Sequence, residues 1–390
     1  MIDRRNIRNK WGFLSEQEIK LMVKDWHDRR AEGELSQETV DMETRALEKK
    51  LRKYNVQQLG EIPEEREDGM MRILVCQMGG CASTEVRELK ISATEKLIRR
   101  YDINLVLFME LNYNWSKVNS SANLSSWLRD EERETRCFTA HNTQENDELF
   151  GRHQPGGTGI LCRHEFLQYA RKPSADFRGL GRWCSWPFYC NPMHTTRIVV
   201  AYRPCATAVK GLKTVYQQHI RYIQAKGMKT NPVDLFDSDL SMQIQTWRKH
   251  GERILLLMDV NGHPLHNKFY SALQEGKADM EEFSHKCWGP TEPHTHPSGK
   301  FPIDGGYKSP ELEIVNLAML NFADSPGNHR SLLFDVSTRS VLGEFRYKVC
   351  RPVSRRLVTS QAGSVRRYNE IVREQFKIHR IVERMDAVDK

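Results

Sequence analysis

The chain has 390 residues, a formal net charge of +8 and 39% hydrophobic residues, enough apolar content to bury a sizeable core. Its 28% of charged residues is ordinary for a globular chain. Nine cysteines without a CxxC pair argue against a disulfide framework or a structural zinc site, and no run of about 18 apolar residues predicts a membrane span.

The opening MIDRRNIRNKWGF lacks the apolar run of a signal peptide, so the expectation is an intracellular, reducing setting. Residues 1–65 are densely charged and read as a helical extension. Ser15 and Glu18 form a capping box for a helix towards Arg30, and Val40, Ala46, Leu47, Leu51 and Tyr54 give a second helix over Gln37–Tyr54 an apolar stripe. Ile62–Gly69 reads as a linker. Buried strands are then predicted at Arg72–Cys76, Leu105–Met109, Gly159–Cys162, Ile198–Tyr202, Ile254–Met258 and Ser331–Val336, with helices at Val86–Tyr101 and Leu212–Lys226. From 341 the chain turns basic: Arg346, Lys348, Arg351, Arg355, Arg356, Arg366 and Arg367 stand against Glu344 alone up to residue 367. An amphipathic helix follows, with Tyr368, Ile371, Val372, Phe376 and Ile381 on one face. Nucleic-acid contact and packing of that face on the main domain both remain open for this tail.

Four polar clusters close or precede apolar strands: Glu110-Leu111-Asn112, Asp259-Val260-Asn261-Gly262-His263, Ile303-Asp304-Gly305 and Gly327-Asn328-His329. Ends of buried strands are where α/β folds gather their sites. Any one cluster alone reads as a turn or a helix cap. Their order carries more.

In that order the sequence, over residues 70–340, resembles the endonuclease/exonuclease/phosphatase superfamily, and more narrowly LINE-type and microalgal retrotransposon endonucleases. Glu110 matches the family's metal-binding Glu, and Met-Asp-Val-Asn supplies Asp259 and Asn261. Ile-Asp supplies Asp304, which would orient the catalytic His329. Ala201-Tyr202-Arg203-Pro204-Cys205 is similar to the family's Ala-Tyr-x-Pro-Asn, making Tyr202 a phosphate contact, and Gly156-Gly157-Thr158-Gly159-Ile160 is similar to its Gly-rich turn. The narrower likeness rests on Asn112-Tyr113-Asn114-Trp115, the Trp288-Gly289 and Thr295 region, and the Arg351-Pro352 to Arg355-Arg356 tail. The resemblance implies a four-layered α/β sandwich, two packed mixed β-sheets flanked by helices, with an N-terminal helical extension and a basic C-terminal helical tail over 341–390. It also implies Mg2+ (or Mn2+) as cofactor and DNA as partner, with RNA or a reverse transcriptase module of the same element as further partners. No Tyr-x-Asp-Asp element of a reverse transcriptase occurs in the chain.

Three positions depart from the family. Gln77-Met78-Gly79-Gly80 stands where Asn-x-(Asn/Asp)-Gly is usual, so Gln77 keeps an amide while Gly79 offers no ligand. Cys205 replaces a phosphate-contacting Asn, and Asn328 replaces the Asp before the His, removing a negative charge beside the cation. The implied metal set is Glu110 with Gln77 and Asn328, and Asp324 stands as a possible substitute carboxylate. A DNA-nicking enzyme weakened at Asn328, a decayed nucleic-acid-binding module and a small-substrate phosphatase of the same fold stay open. His285, Cys287, His294 and His296 match no zinc spacing, and Trp183 and Trp186 are expected in packing before base stacking.

Overall fold

The computed structural model describes residues 24–25, 28–33, 36–42, 58–81, 84–117, 123–128, 134–144, 151–190, 192–209, 211, 213–276, 278–285, 293–343 and 362–388. The chain divides into two compact units, Met1–Phe345 and Arg346–Lys390.

The first unit is built on two six-stranded sheets. One has the order β11-β12-β1-β2-β4-β3, from β1 (Met70–Gln77), β2 (Leu105–Met109), β3 (Thr135–Ala140), β4 (Thr158–Arg163), β11 (Ile314–Met319) and β12 (Leu332–Ser337). The other has the order β5-β6-β7-β8-β10-β9, from β5 (Ser174–Ala175), β6 (Trp183–Phe188), β7 (Thr196–Tyr202), β8 (Arg253–Asp259), β9 (Glu281–Glu282) and β10 (Asp304–Lys308). Each sheet holds one parallel pair at its centre, β1 with β2 and β7 with β8, and its other pairings are antiparallel.

The central strands are apolar throughout because both faces are covered. On β1, Met71, Ile73 and Val75 enter the core between the sheets, whereas Leu74 and Cys76 pack outward with Ile91, Leu97 and Ile98 of α1 (Thr84–Arg100). On β8, Leu255 and Leu257 point inward, whereas Ile254, Leu256 and Met258 meet Phe236, Leu240 and Ile244. Those three belong to α3 (Pro232–Lys249), which follows α2 (Val215–Ala225) and precedes α4 (Lys268–Glu275). The result is the mixed four-layered α/β sandwich that the resemblance implies. Parallel neighbours need a crossover, and α1 supplies it for β1 and β2 while α2 and α3 supply it for β7 and β8.

Ile62–Gly69 does not behave as a free linker. Ile62 is buried, and Arg72 donates to the carbonyls of Pro63 and Glu64 at 2.8 and 3.0 Å while pairing Asp335 inside the protein. Trp183 and Trp186 are buried core residues. Of the N-terminal helices, residues 24–25, 28–31 and 37–42 are helical; Ser15, Glu18, Ala46, Leu47, Leu51 and Tyr54 lie outside the described residues. Cys287, Trp288 and the basic run from Arg346 to Arg356 also lie outside them. The second unit contains two helices, α5 (Ala362–Ile378) and α6 (Ile381–Val388), where a single amphipathic helix was expected. Arg380, between them, has φ +47, which breaks helical continuity. No helix among the described residues is long and apolar enough to cross a membrane.

Candidate active site

Both parallel pairs end at the same rim. β1 finishes on Gln77 and β2 delivers Glu110; β7 finishes on Tyr202 and β8 on Asp259. Tyr202 and Asp304 are the register partners of Asp259 on its two sides.

On the first sheet, the turn after β1 is zipped to the segment after β2. Met78, Gly80 and Cys81 each donate a backbone N–H at 2.8 Å, to Met109, Glu110 and Leu111 in turn. Lys90 of α1 donates its ammonium to the carbonyls of Met78 and Gly80. Burial lowers the Lys90 pKa, with Cys81 and Glu110 acting in the opposite direction. Gly79 has φ +56, and a Cβ there would fall 2.6 Å from Asn328 Oδ1, so the glycine is what lets Asn328 lie against this turn.

Glu110 and Asn112 adopt left-handed backbone, φ +51 and +49, which the Gly156–Gly157 turn holds in place. The Asn112 N–H donates to Gly156 O at 2.7 Å, and Gly156 N–H returns a bond to Asn112 Oδ1 at 2.6 Å. Asn112 Nδ2 then donates to Glu110 Oε1 at 3.3 Å. Gln77 Nε2 donates to Glu110 Oε2 and also to Asp259 Oδ2, the latter at 3.1 Å, bridging the two sheets. The Gln77 oxygen is occupied by Gly79 N–H at 2.7 Å, so this side chain presents a nitrogen where the resemblance implies a metal-facing amide oxygen.

On the second sheet, Asp259 accepts the Asn261 N–H at 2.9 Å, and its own N–H donates to Met109 Sδ at 3.0 Å. The Asn261 amide donates to Arg203 O at 2.6 Å, while the Arg203 guanidinium forms a two-bond pair with Asp237 at 2.7 Å. Asn261 thus braces the loop beneath Tyr202 and Asp259. Asp304 accepts from His329 Nδ1 at 2.7 Å. Thr295 Oγ1 receives the N–H groups of Ile303 and Asp304 at 3.0 and 3.3 Å, and Thr295 O receives Arg330 N–H at 2.9 Å. That loop carries His296, whose ring lies 5.1 Å from that of His329.

Ligating atoms of Asp259, Asp304 and His329 lie within 4.8 Å of one another, and Glu110 is close enough to act on the His329 charge. Burial, then the Asp304 charge, push the Asp259 carboxyl up to about 7. Burial disfavours a charged His329, but the Asp304 charge and hydrogen bond, with Asp259 and Glu110 behind them, lift it to about 9. Tyr202 is raised by burial, Glu110 and Asp259, against an Asn261 hydrogen bond.

Gln77, Tyr202, Asp259 and Asn261 therefore meet Glu110, Asp304, Asn328 and His329 at one end of the sandwich. Asp324 does not join them: it is exposed, bonded to Asn321 at 2.6 Å, and acts on Arg100 and Tyr101. Cys205 is exposed, and after burial the fields of Asp259 and Glu110 raise its thiol. His285 Nε2 donates to the Asp304 carbonyl at 2.9 Å, and among the described residues the histidines form no metal cluster of their own. The roles of Asn112, Lys90 and the Arg203–Asp237 pair escaped the sequence reading. Lys90 was detectable: it falls on the buried stripe of α1 with Ile91, Thr94, Leu97 and Ile98, a position where a lysine needs internal acceptors.

The carboxylate oxygens of Glu110, Asp259 and Asp304 and the Asn328 amide oxygen are hard donors, of the kind that suits Mg2+ or Mn2+ better than a thiophilic ion. Asp304 Oδ1 is buried with no hydrogen-bond partner among the described residues, which also fits an electropositive occupant.

No protein-family model matches the sequence, and no curated protein does. Among solved structures, the chain is similar to the AP endonuclease LMAP of Leishmania major, with TM-score 0.52, 11% identity, and 74% of this chain and 95% of that one covered. It is also similar to the human Nocturnin catalytic domain with bound sulfate, with TM-score 0.49, 12% identity and coverage of 73% and 97%. For ANGEL2, a 2',3'-cyclic phosphatase, in complex with adenosine-2',3'-vanadate, the values are 0.45, 11%, 72% and 98%. At these identities the likeness is one of fold.

Proposed function

We propose that this chain, which has the fold of the endonuclease/exonuclease/phosphatase superfamily, hydrolyses phosphodiester bonds in DNA as the nicking module of a retrotransposon. The observation that carries the reading is the convergence of Glu110, Asp259 and the Asp304–His329 pair, drawn from both sheets, at one end of the molecule.

Glu110 is assigned to hold a divalent cation, Mg2+ or Mn2+, with Asn328 as a neutral oxygen donor beside it. When bound, such an ion neutralises the phosphodiester and stabilises the charge that develops on it. Asp259 takes a proton from the attacking water, and a carboxyl poised near 7 suits that task at neutral pH. Asp304 holds His329 through Nδ1 and keeps it charged, which leaves Nε2 to donate to the phosphate. Tyr202 donates a second bond to the phosphate. Asn261 acts by bracing the loop, through Arg203 O and the Asp259 carboxylate, a positioning duty where the resemblance implies that it holds the phosphate or the attacking water.

A second reading, a nucleic-acid-binding module with a spent site, is favoured by Gly79, which has no ligand atom, and by the neutral Asn328. Nicking of supercoiled plasmid in Mg2+ or Mn2+ decides between them. The catalytic reading expects relaxed circles from the wild-type chain, faster nicking by Asn328→Asp, and loss of at least a hundredfold with Glu110→Ala or Asp259→Asn. Plasmid bound but left intact by both the wild type and Asn328→Asp would establish the second reading.

A further inference from the structure

We infer that Gln77 is an internal competitor of the cation: its amide bridges Glu110 and Asp259 and must withdraw for the ion to bind. The inference rests on the assignment of Glu110 to the cation made above.

Three features carry it. The first is reach. From the end of β1, Gln77 Nε2 donates to Glu110 on its own sheet and to Asp259, 3.1 Å away, on the other. A primary amide has two N–H donors, and here both are spent on carboxylate oxygens. Two carboxylates at close range repel one another, and a cation, a pair of donors or protonation of one of them relieves that. Gln77 fills this position without carrying a full charge. An Asn in its place, shorter by one methylene, would not span both acids from the same backbone position.

The second feature is orientation. Gly79 N–H donates to Gln77 Oε1 at 2.7 Å, which fixes the amide with nitrogen towards the acids. Turning the oxygen towards a cation would set it against two carboxylates and leave the Gly79 N–H without its acceptor. The third is the rigidity of the turn that presents it. Lys90 holds the Met78 and Gly80 carbonyls, three backbone bonds tie the turn to residues 109–111, and Asn328 lies against Gly79. Gln77 is itself 3% exposed, so it has little room to drift away unaided.

Mn2+ binding by the full chain tests this without reference to turnover, by titration calorimetry or by the resonance of free Mn2+. Hydrogen bonds to charged groups are the stronger class, so releasing Glu110 and Asp259 from the amide should tighten Mn2+ roughly tenfold in Gln77→Leu. Gln77→Asn should fall between it and the wild type, and Glu110→Gln should bind at least tenfold more weakly than the wild type. Because Gln77→Leu sets the half-buried Glu110 and the buried Asp259 against one another and can fail to fold, the wild-type chain supplies a second measurement. Its Gln77 side-chain NH2 resonances should shift and lose protection from exchange as Mg2+ saturates the site. Equal or weaker Mn2+ binding by a folded Gln77→Leu overturns the inference alone, as do Gln77 amide signals indifferent to saturating Mg2+. Absence of Mn2+ binding in every form, or Glu110→Gln binding like the wild type, overturns the cation assignment and the inference together.

Discussion

Replacing Asp304 by Asn isolates the largest electrostatic debt in the site. His329 is 4% exposed, yet its pKa stands at about 9 against an ordinary 6.5, and Asp304 is the chief group holding it up. A base raised in the folded state adds stability that is complete below pH 6.5 and is lost as the pH climbs through 9. The difference of 2.5 corresponds to about 3 kcal/mol, of which about 2 kcal/mol disappears between pH 7.5 and 9.5. Asp259, raised to about 7 from an unfolded value near 3.8, also makes stability fall with rising pH, but its effect is spent by about pH 7, which separates the two windows. Urea denaturation in chelator should therefore show the wild type losing about 2 kcal/mol over pH 7.5 to 9.5 and Asp304→Asn losing far less. The His329 ring signals should titrate well below 9 in the variant. An unchanged slope, or a ring still titrating near 9 without the Asp304 charge, would refute the argument.

Gly79→Ala combines a left-handed φ of +56 with a Cβ 2.6 Å from Asn328 Oδ1, so denaturation should show a loss of about 1–3 kcal/mol. Adding Asn328→Ala should restore the contact share of that loss but not the backbone share, and strict additivity of the two changes would contradict the packing described. His219, 1% exposed in α2, has a pKa pressed down to about 3 by burial and then by Arg182. Its neutral form stabilises the fold above pH 6.5, and that contribution, of order 4 kcal/mol, is lost as the pH falls towards 3. His219→Leu should hold more of its neutral-pH stability at pH 4.5 than the wild type does. Parallel acid-denaturation curves for the two would count against it.

Much of the sandwich was legible because its central strands are covered on both faces. Leu105–Met109 was read with the bounds it has, and the strands over residues 72–76, 159–162, 198–202 and 254–258 were read within a residue or two of theirs. Strands with a wetter face or a Gly-rich start escaped: Thr135–Ala140 is mostly half-exposed, and Asp304–Lys308 opens Asp-Gly-Gly, a turn signal in any single sequence. The order of clusters named the acids of the site but not their supports. Gln77 could be read as an amide near a metal, but which of its ends faces the acids depends on the Gly79 N–H, a contact no motif states. Asn112 was read as part of a motif but given no role, and that role requires the left-handed backbone that the Gly156–Gly157 turn holds.

The strand that closes the first sheet against β1 is β12, over residues 332–337, although β1 itself starts at residue 70. His329, directly ahead of it, comes into being on the ribosome more than two hundred positions after Glu110. During synthesis the acids are therefore made well before their imidazole. If the chemistry proposed above holds, a nascent chain would lack the means to cut nucleic acid until residue 329 is made, and the order of synthesis itself would delay activity until most of the sandwich exists.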